Sequence, residues 1–90
     1  MKSVFVYVLI CNDSTLYVGV TTNLERRIHE HNSSKKGAKY TRGRRPVALL
    51  YKESFSNRSE AQKREYYLKQ LTRSEKLEFI ARESHHLVAD

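Results

Sequence analysis

Apolar and polar positions divide the chain into segments of recognisable period. Val4–Cys11 (VFVYVLIC) is an unbroken run rich in β-branched and aromatic residues, and it predicts a strand buried on both faces. Asn12-Asp13-Ser14-Thr15 is a cluster of turn formers, and Leu16–Val20 resumes the strand pattern, so the pair predicts an antiparallel hairpin. Thr21 and Thr22 offer an N-cap to a helix expected to run to about His31, with Leu24 and Ile28 four residues apart on it. Asn32–Arg45 has no period and reads as a loop. Pro46 then opens a third strand, roughly Val47–Lys52, whose VALLY run again reads as buried. Capping signals at Asn57 with Glu60, or Ser56 with Ser59, predict a helix over about Ser59–Leu71. Thr72-Arg73-Ser74-Glu75 is a capping box for a short helix through about Arg82. The fold class expected is α/β: a small three-stranded, mainly antiparallel sheet flanked by helices, in the order β-β-α-β-α-α.

Helix phase sorts the polar residues of the first helix. With Leu24 at 0° and about 100° per residue, Ile28 falls at about 40°, His31 at about 340° and Arg27 at about 300°. Arg26 falls at about 200° and His29 at about 140°, facing outward. The apolar stripe therefore carries His31 within it and Arg27 at its edge. Each has an ordinary explanation, a satisfied half-buried histidine and a snorkelling arginine. In the later helix, with Ala61 at 0°, Leu68 lies at about 340° and Glu65 at about 40°. A carboxylate on a packing face demands a cation or a metal ion. Arg64, at about 300°, and Lys69, at about 80°, flank it as possible partners.

Tyr7 and Tyr17 sit in the two hairpin strands, and core packing accounts for either one singly. Their relation depends on the turn. A four-residue loop pairing Cys11 with Leu16 sets them on opposite faces, whereas a three- or five-residue loop or a bulge sets them side by side. Gly19 marks a bulge or a close approach.

Ninety residues suffice for one domain, expected over residues 1–83 with a C-terminal tail over 84–90. The longest apolar run is far short of a membrane span, and no cleavage site follows it, so the expectation is a cytoplasmic protein without a signal peptide or membrane partner. The single cysteine, Cys11, reads as a buried core thiol. His85 and His86 are adjacent, hence on different faces, and read as solvated tail residues. Charge adds more. Of the net +7, six positive charges lie in Asn32–Arg45, leaving +1 for the rest of the chain. Lys35, Lys36, Lys39, Arg42, Arg44 and Arg45, with Tyr40 among them, suit a polyanion: cations for phosphates and an aromatic ring for a base. The competing explanation, a solvated loop that aids solubility, leaves the concentration of charge unaccounted for.

Phe5-Val6-Tyr7 and Tyr17-Val18-Gly19, followed by Arg27, His31 and Glu65 in that order, resemble the motifs of the GIY-YIG nuclease superfamily. YVGVTTNLERRIHEHN, GAKYTRGRRPVALLY and SEAQKREYYLKQL further resemble its small single-domain bacterial group, UPF0213-like, over about Val4 to Ile80. The resemblance implies metal-dependent hydrolysis of nucleic-acid phosphodiesters, with DNA as the partner and RNA left open. It implies that Glu65 binds a single Mg²⁺ or Mn²⁺ ion, that Tyr7 or Tyr17 deprotonates or orients water, that Arg27 stabilises phosphate charge, and that His31 assists. The first motif departs from the family pattern in Phe5 and Val6. Val20 stands where some members carry lysine, which implies slower turnover or another base such as Lys39. Two functions from different classes follow. One is a structure- or end-selective endonuclease of repair or recombination; the other is a catalytically weak or inactive nucleic-acid-binding module with the same fold.

Overall fold

In a computed structural model, which describes the backbone of residues 3–88, the chain folds as β1 (Val4–Ile10), β2 (Leu16–Thr21), α1 (Leu24–Ser33), α2 (Lys39–Arg42), β3 (Ala48–Phe55), α3 (Arg58–Gln70) and α4 (Arg73–Val88). The sheet is antiparallel in the order β2-β1-β3, so the most apolar strand is the central one. Alternation along β1 feeds two cores. Val4, Val6 and Val8 join Val18, Tyr51, Ala61, Leu68, Phe79 and Ile80 on the face covered by α3 and α4. Tyr7 and Leu9 join Cys11, Val47, Leu24 and Ile28 on the opposite face, toward α1.

The expected order of strands and long helices is present, with four differences of detail. The basic segment is not wholly irregular: it contains the single turn α2, whose Thr41 and Arg42 N–H groups both point to the Ala38 carbonyl. The cap of α1 is Asn23 rather than Thr21 or Thr22, because its Oδ1 accepts the Arg26 N–H at 3.1 Å while Thr21 Oγ1 accepts the Asn23 N–H. β3 begins at Ala48 and continues to Phe55, and its start is not buried. Leu49 is 40% exposed because β3 is an edge strand, with β1 on one side only. Finally, α4 continues through Val88 rather than ending near Arg82. Its start is as expected, a reciprocal box in which Glu75 Oε1 accepts the Thr72 N–H and Thr72 Oγ1 accepts the Glu75 N–H. The side chains of His85 and His86 lie outside the described residues. No helix among the described residues is long and apolar enough to cross a membrane.

Candidate functional site

The turn after β1 decides which tyrosines meet. Asp13 Oδ1 accepts both the Thr15 N–H, at 3.1 Å, and the Thr15 O–H, at 2.6 Å. Ser14 adopts the left-handed conformation with φ 70°, and the Cys11 N–H closes onto the Thr15 carbonyl at 2.9 Å. Residues Cys11–Thr15 are thereby set aside as a five-residue loop, and Ile10 pairs with Leu16. Leu9 then opposes Tyr17 and Tyr7 opposes Gly19, which puts both tyrosines on the α1 face with ring centroids 6.3 Å apart. Gly19 is required there. A Cβ at this position would lie 2.5 Å from the Tyr7 hydroxyl oxygen and 2.6 Å from its Cζ, so the Tyr7 ring occupies the space a side chain would take.

α1 brings His31 onto the pair. His31 and Tyr7 are buried, and the Tyr7 hydroxyl lies 2.8 Å from His31 Nε2. The Tyr17 ring meets the His31 ring edge-on at 5.1 Å. His31 Nδ1 lies 2.9 Å from the Thr41 hydroxyl, itself buried, which donates to the Ala38 carbonyl at 2.9 Å. Burial pushes the Tyr7 phenol up to about 12, with the neighbouring Arg27 guanidinium opposing the rise and the Glu65 charge adding to it. Burial likewise holds His31 down to about 4, assisted by the positive charges of Arg27 and Arg45 and opposed by Glu30. At neutral pH both groups are therefore uncharged, with the proton on Tyr7.

Arg27 Nη1 donates to Glu30 Oε1 at 3.0 Å and to the Lys36 carbonyl at 2.7 Å, and its guanidinium neighbours Tyr7. Arg26 and His29 face solvent, as their helix phase requires. On α3 the Glu65 carboxylate is 24% exposed and pairs with Lys69 Nζ at 3.0 Å, while Arg64 pairs instead with Glu53 at 3.1 Å. Among the described residues no cluster of three or more His, Cys, Asp or Glu side chains that could hold a metal ion is assembled. Tyr7, Tyr17, Arg27 and His31 are thus brought together, with Glu65 close enough for its charge to act on Tyr7. The 410 Å³ concavity lined by Phe5, Tyr51, Lys52, Glu53, Ser54 and Glu83 opens elsewhere, along β3.

The basic segment separates into two groups. Lys35, Lys36, Lys39 and Arg42 are exposed. Arg45 instead closes the C-terminus of α1: its Nε donates to the His31 carbonyl and its Nη2 to the Ser34 carbonyl, each at 2.6 Å. Arg44 pairs with Asp13 at 3.1 Å and lies 4.0 Å over the centre of the Tyr40 ring. Tyr40 also packs near Tyr17, its ring centroid 5.9 Å away. Sequence reasoning passed over Thr41 and Lys52. Thr41 sits in a segment without period. Lys52 opposes Tyr7 across the β1–β3 ladder, a register no local pattern specifies.

A family model described as the GIY-YIG catalytic domain matches residues 3–78. A UPF0213 protein of Desulfotalea psychrophila is 62% identical over 80% of this chain and 66% of its own length. A UPF0213 protein of Clostridium perfringens is 58% identical over 89% of this chain and 85% of its own. The solution NMR structure of an E. faecalis protein, 47% identical, superposes with a TM-score of 0.66 over all of this chain and 93% of that one.

Proposed function

The chain belongs to the GIY-YIG catalytic domain family, within its UPF0213 group, and from that premise we propose that it is a cytoplasmic, metal-dependent nuclease that hydrolyses phosphodiester bonds of DNA, selective for strand ends or branched structures in repair or recombination. One observation carries the reading: the buried 2.8 Å contact between Tyr7 and His31 beside the Arg27 guanidinium. A tyrosine can act as a base at neutral pH only if its own proton has somewhere to go. Here water gives a proton to the Tyr7 oxygen while the Tyr7 proton passes to His31 Nε2. The hydroxide attacks phosphorus, and the bond from phosphorus to the leaving oxygen breaks. The leaving oxygen takes a proton from solvent water, and His31 gives its extra proton back to solvent, which restores the neutral pair. Arg27, pre-oriented by Glu30, holds the non-bridging oxygens. The phosphate arriving beside Arg27 brings the negative charge that raises the basicity of His31. Tyr17, packed on the His31 ring, orients the water.

A half-buried carboxylate fits a hard cation that keeps most of its waters, so Glu65 would hold one Mg²⁺ or Mn²⁺ ion. When bound, such an ion supplies positive charge to the developing phosphorane and leaving oxygen. A second reading, a nucleic-acid-binding module with little or no turnover, is favoured by the ion pair in which Lys69 holds Glu65 at 3.0 Å.

A cleavage screen over single strands, duplexes, nicks, flaps and junctions, with and without Mn²⁺, separates the two. The expected result is metal-dependent cleavage by the wild type and none by Glu65→Ala, which keeps its fold and its DNA affinity. Binding without cleavage in any substrate would favour the binding module, and absence of binding would remove both readings.

A further inference from the structure

We propose that Thr41 is a positioning residue whose hydroxyl fixes His31 in the tautomer able to accept the Tyr7 proton. The kinetic part of this inference rests on the nuclease reading above; the structural part stands on the hydrogen-bond chain itself.

Tyr7, His31 and Thr41 are 1%, 0% and 0% exposed, so each of their polar hydrogens must find an acceptor. The Tyr7 hydroxyl carries a proton, and His31 Nε2 is the acceptor in reach, at 2.8 Å. A neutral imidazole that accepts at Nε2 must carry its hydrogen on Nδ1. That hydrogen meets Thr41 Oγ1 at 2.9 Å, which is free to accept because its own proton goes to the Ala38 carbonyl, also at 2.9 Å. The three bonds run in one direction, from Tyr7 to His31 to Thr41 to the Ala38 backbone. The last bond cannot reverse, because a carbonyl only accepts; if Thr41 donated to Nδ1 instead, the ring hydrogen would sit on Nε2 and the Tyr7 proton would lose this acceptor.

The structure also contains the competitor that Thr41 must defeat. The Ala38 N–H stands 3.4 Å from the same Nδ1, too long for a good bond but correctly placed to donate. If Thr41 could not accept, Ala38 would become the partner of Nδ1, the ring hydrogen would move to Nε2, and His31 would become a donor toward Tyr7. Proton acceptance from Tyr7 would be blocked without any displacement of the ring. Two further features hold His31 and α2 in place for this choice. Gly37 lies against α1 so closely that a Cβ would be 2.9 Å from His31 Cα and 2.7 Å from the Glu30 carbonyl oxygen. Arg45 ties the His31 carbonyl to the far side of α2 at 2.6 Å. α2, a single turn inside the basic segment, thereby presents the Thr41 hydroxyl to His31 Nδ1.

The test reads the tautomer directly. Long-range ¹H–¹⁵N spectra of the imidazoles at pH 7, with His31 assigned through His31→Gln, are recorded for the wild type, Thr41→Ser and Thr41→Val. The expectation is the Nδ1–H form in the wild type and in Thr41→Ser, and a shift to Nε2–H in Thr41→Val. In steady-state cleavage, Thr41→Val should lower kcat by about 10- to 100-fold with KM within about twofold, and Thr41→Ser should restore most of the rate. An Nε2–H wild type, or a Thr41→Val protein that keeps Nδ1–H, overturns the proposal. Should Thr41→Val fail to fold, Thr41→Ala takes its place in the same spectra, with the shift to Nε2–H expected and a retained Nδ1–H overturning the proposal. The Nδ1–H form with no cleavage by the wild type would sink the nuclease reading and leave the positioning of His31 standing.

Discussion

His31 and Arg27 are four residues apart on one helix and do opposite things with charge. Arg27 keeps its charge because Glu30 and the Lys36 carbonyl satisfy it, whereas burial keeps His31 neutral, with its pKa lowered to about 4. A pH dependence of stability follows. In the unfolded chain a histidine titrates near 6.5, so between pH 6.5 and 4 the unfolded state binds a proton that the folded state does not. Stability should be fully present above pH 6.5 and decline as pH falls toward 4, by on the order of 2–3 kcal/mol from this group. Urea midpoints at pH 7 and pH 4.5 for the wild type and His31→Gln check this. The variant should be less stable at pH 7 but lose less on acidification, and equal losses would remove His31 as the cause. Helix phase separated the inward pair Arg27 and His31 from the outward pair Arg26 and His29, because one helix face must pack. Nothing comparable marked Thr41, whose role depends on a partner ten positions earlier in the chain.

The β1–β2 hairpin and the α1–α2 corner carry most of the geometry. A single residue more or fewer in the hairpin turn would send Tyr17 to the α3 face, since successive strand side chains alternate. The Asp13–Thr15 bonds and the left-handed Ser14 select the five-residue loop. Gly19 then makes room for the Tyr7 ring. In Gly19→Ala the Tyr7 ring or the backbone of β2 must move, at a cost of about 1–3 kcal/mol. The expected outcome is a lower Tm and a cleavage rate at least about tenfold lower, with DNA affinity unchanged, because acid–base contacts tolerate little displacement. Wild-type rates in Gly19→Ala would show that the Tyr7 ring position is immaterial. β3 was read as buried from its apolar composition, yet it lies at an edge. An apolar run tells that a strand has a core face, not how many neighbours it has.

Across the molecule, the excess positive charge is gathered beside the tyrosine–histidine cluster rather than spread. Arg44 and Arg45 have internal partners, which leaves Lys35, Lys36, Lys39 and Arg42 exposed on the same segment. If these four cations meet duplex phosphates, log K should fall with log[salt] at a slope of about −3.6. Replacing Lys35 and Lys36 by alanine should flatten that slope by about 1.8, as read by fluorescence anisotropy over a salt series. A wild-type slope near zero would remove the phosphate contacts. The sheet divides the protein into two faces, one an apolar core and the other the face on which the proposed chemistry would take place. Val6, Val8 and Leu68 fill the first, and Tyr7, Tyr17 and His31 line the second.

Local pattern was enough to set the three strands, the long helices, the inward turn of Arg27 and His31, and the placing of Glu65 on a packing face. These follow from periodicity and capping, which involve neighbours a few residues apart. Tertiary contact decided the rest. The hairpin register was open until the turn closed, because two loop lengths satisfy the same alternation. Arg45 became a helix cap, and Tyr40 a neighbour of both Arg44 and Tyr17, only when α2 folded back on α1. The direction of the hydrogen bonds from Tyr7 to Thr41 depends on buried residues from β1, α1 and α2 meeting one another. A buried proton must be given to some acceptor, and which one is a property of three dimensions.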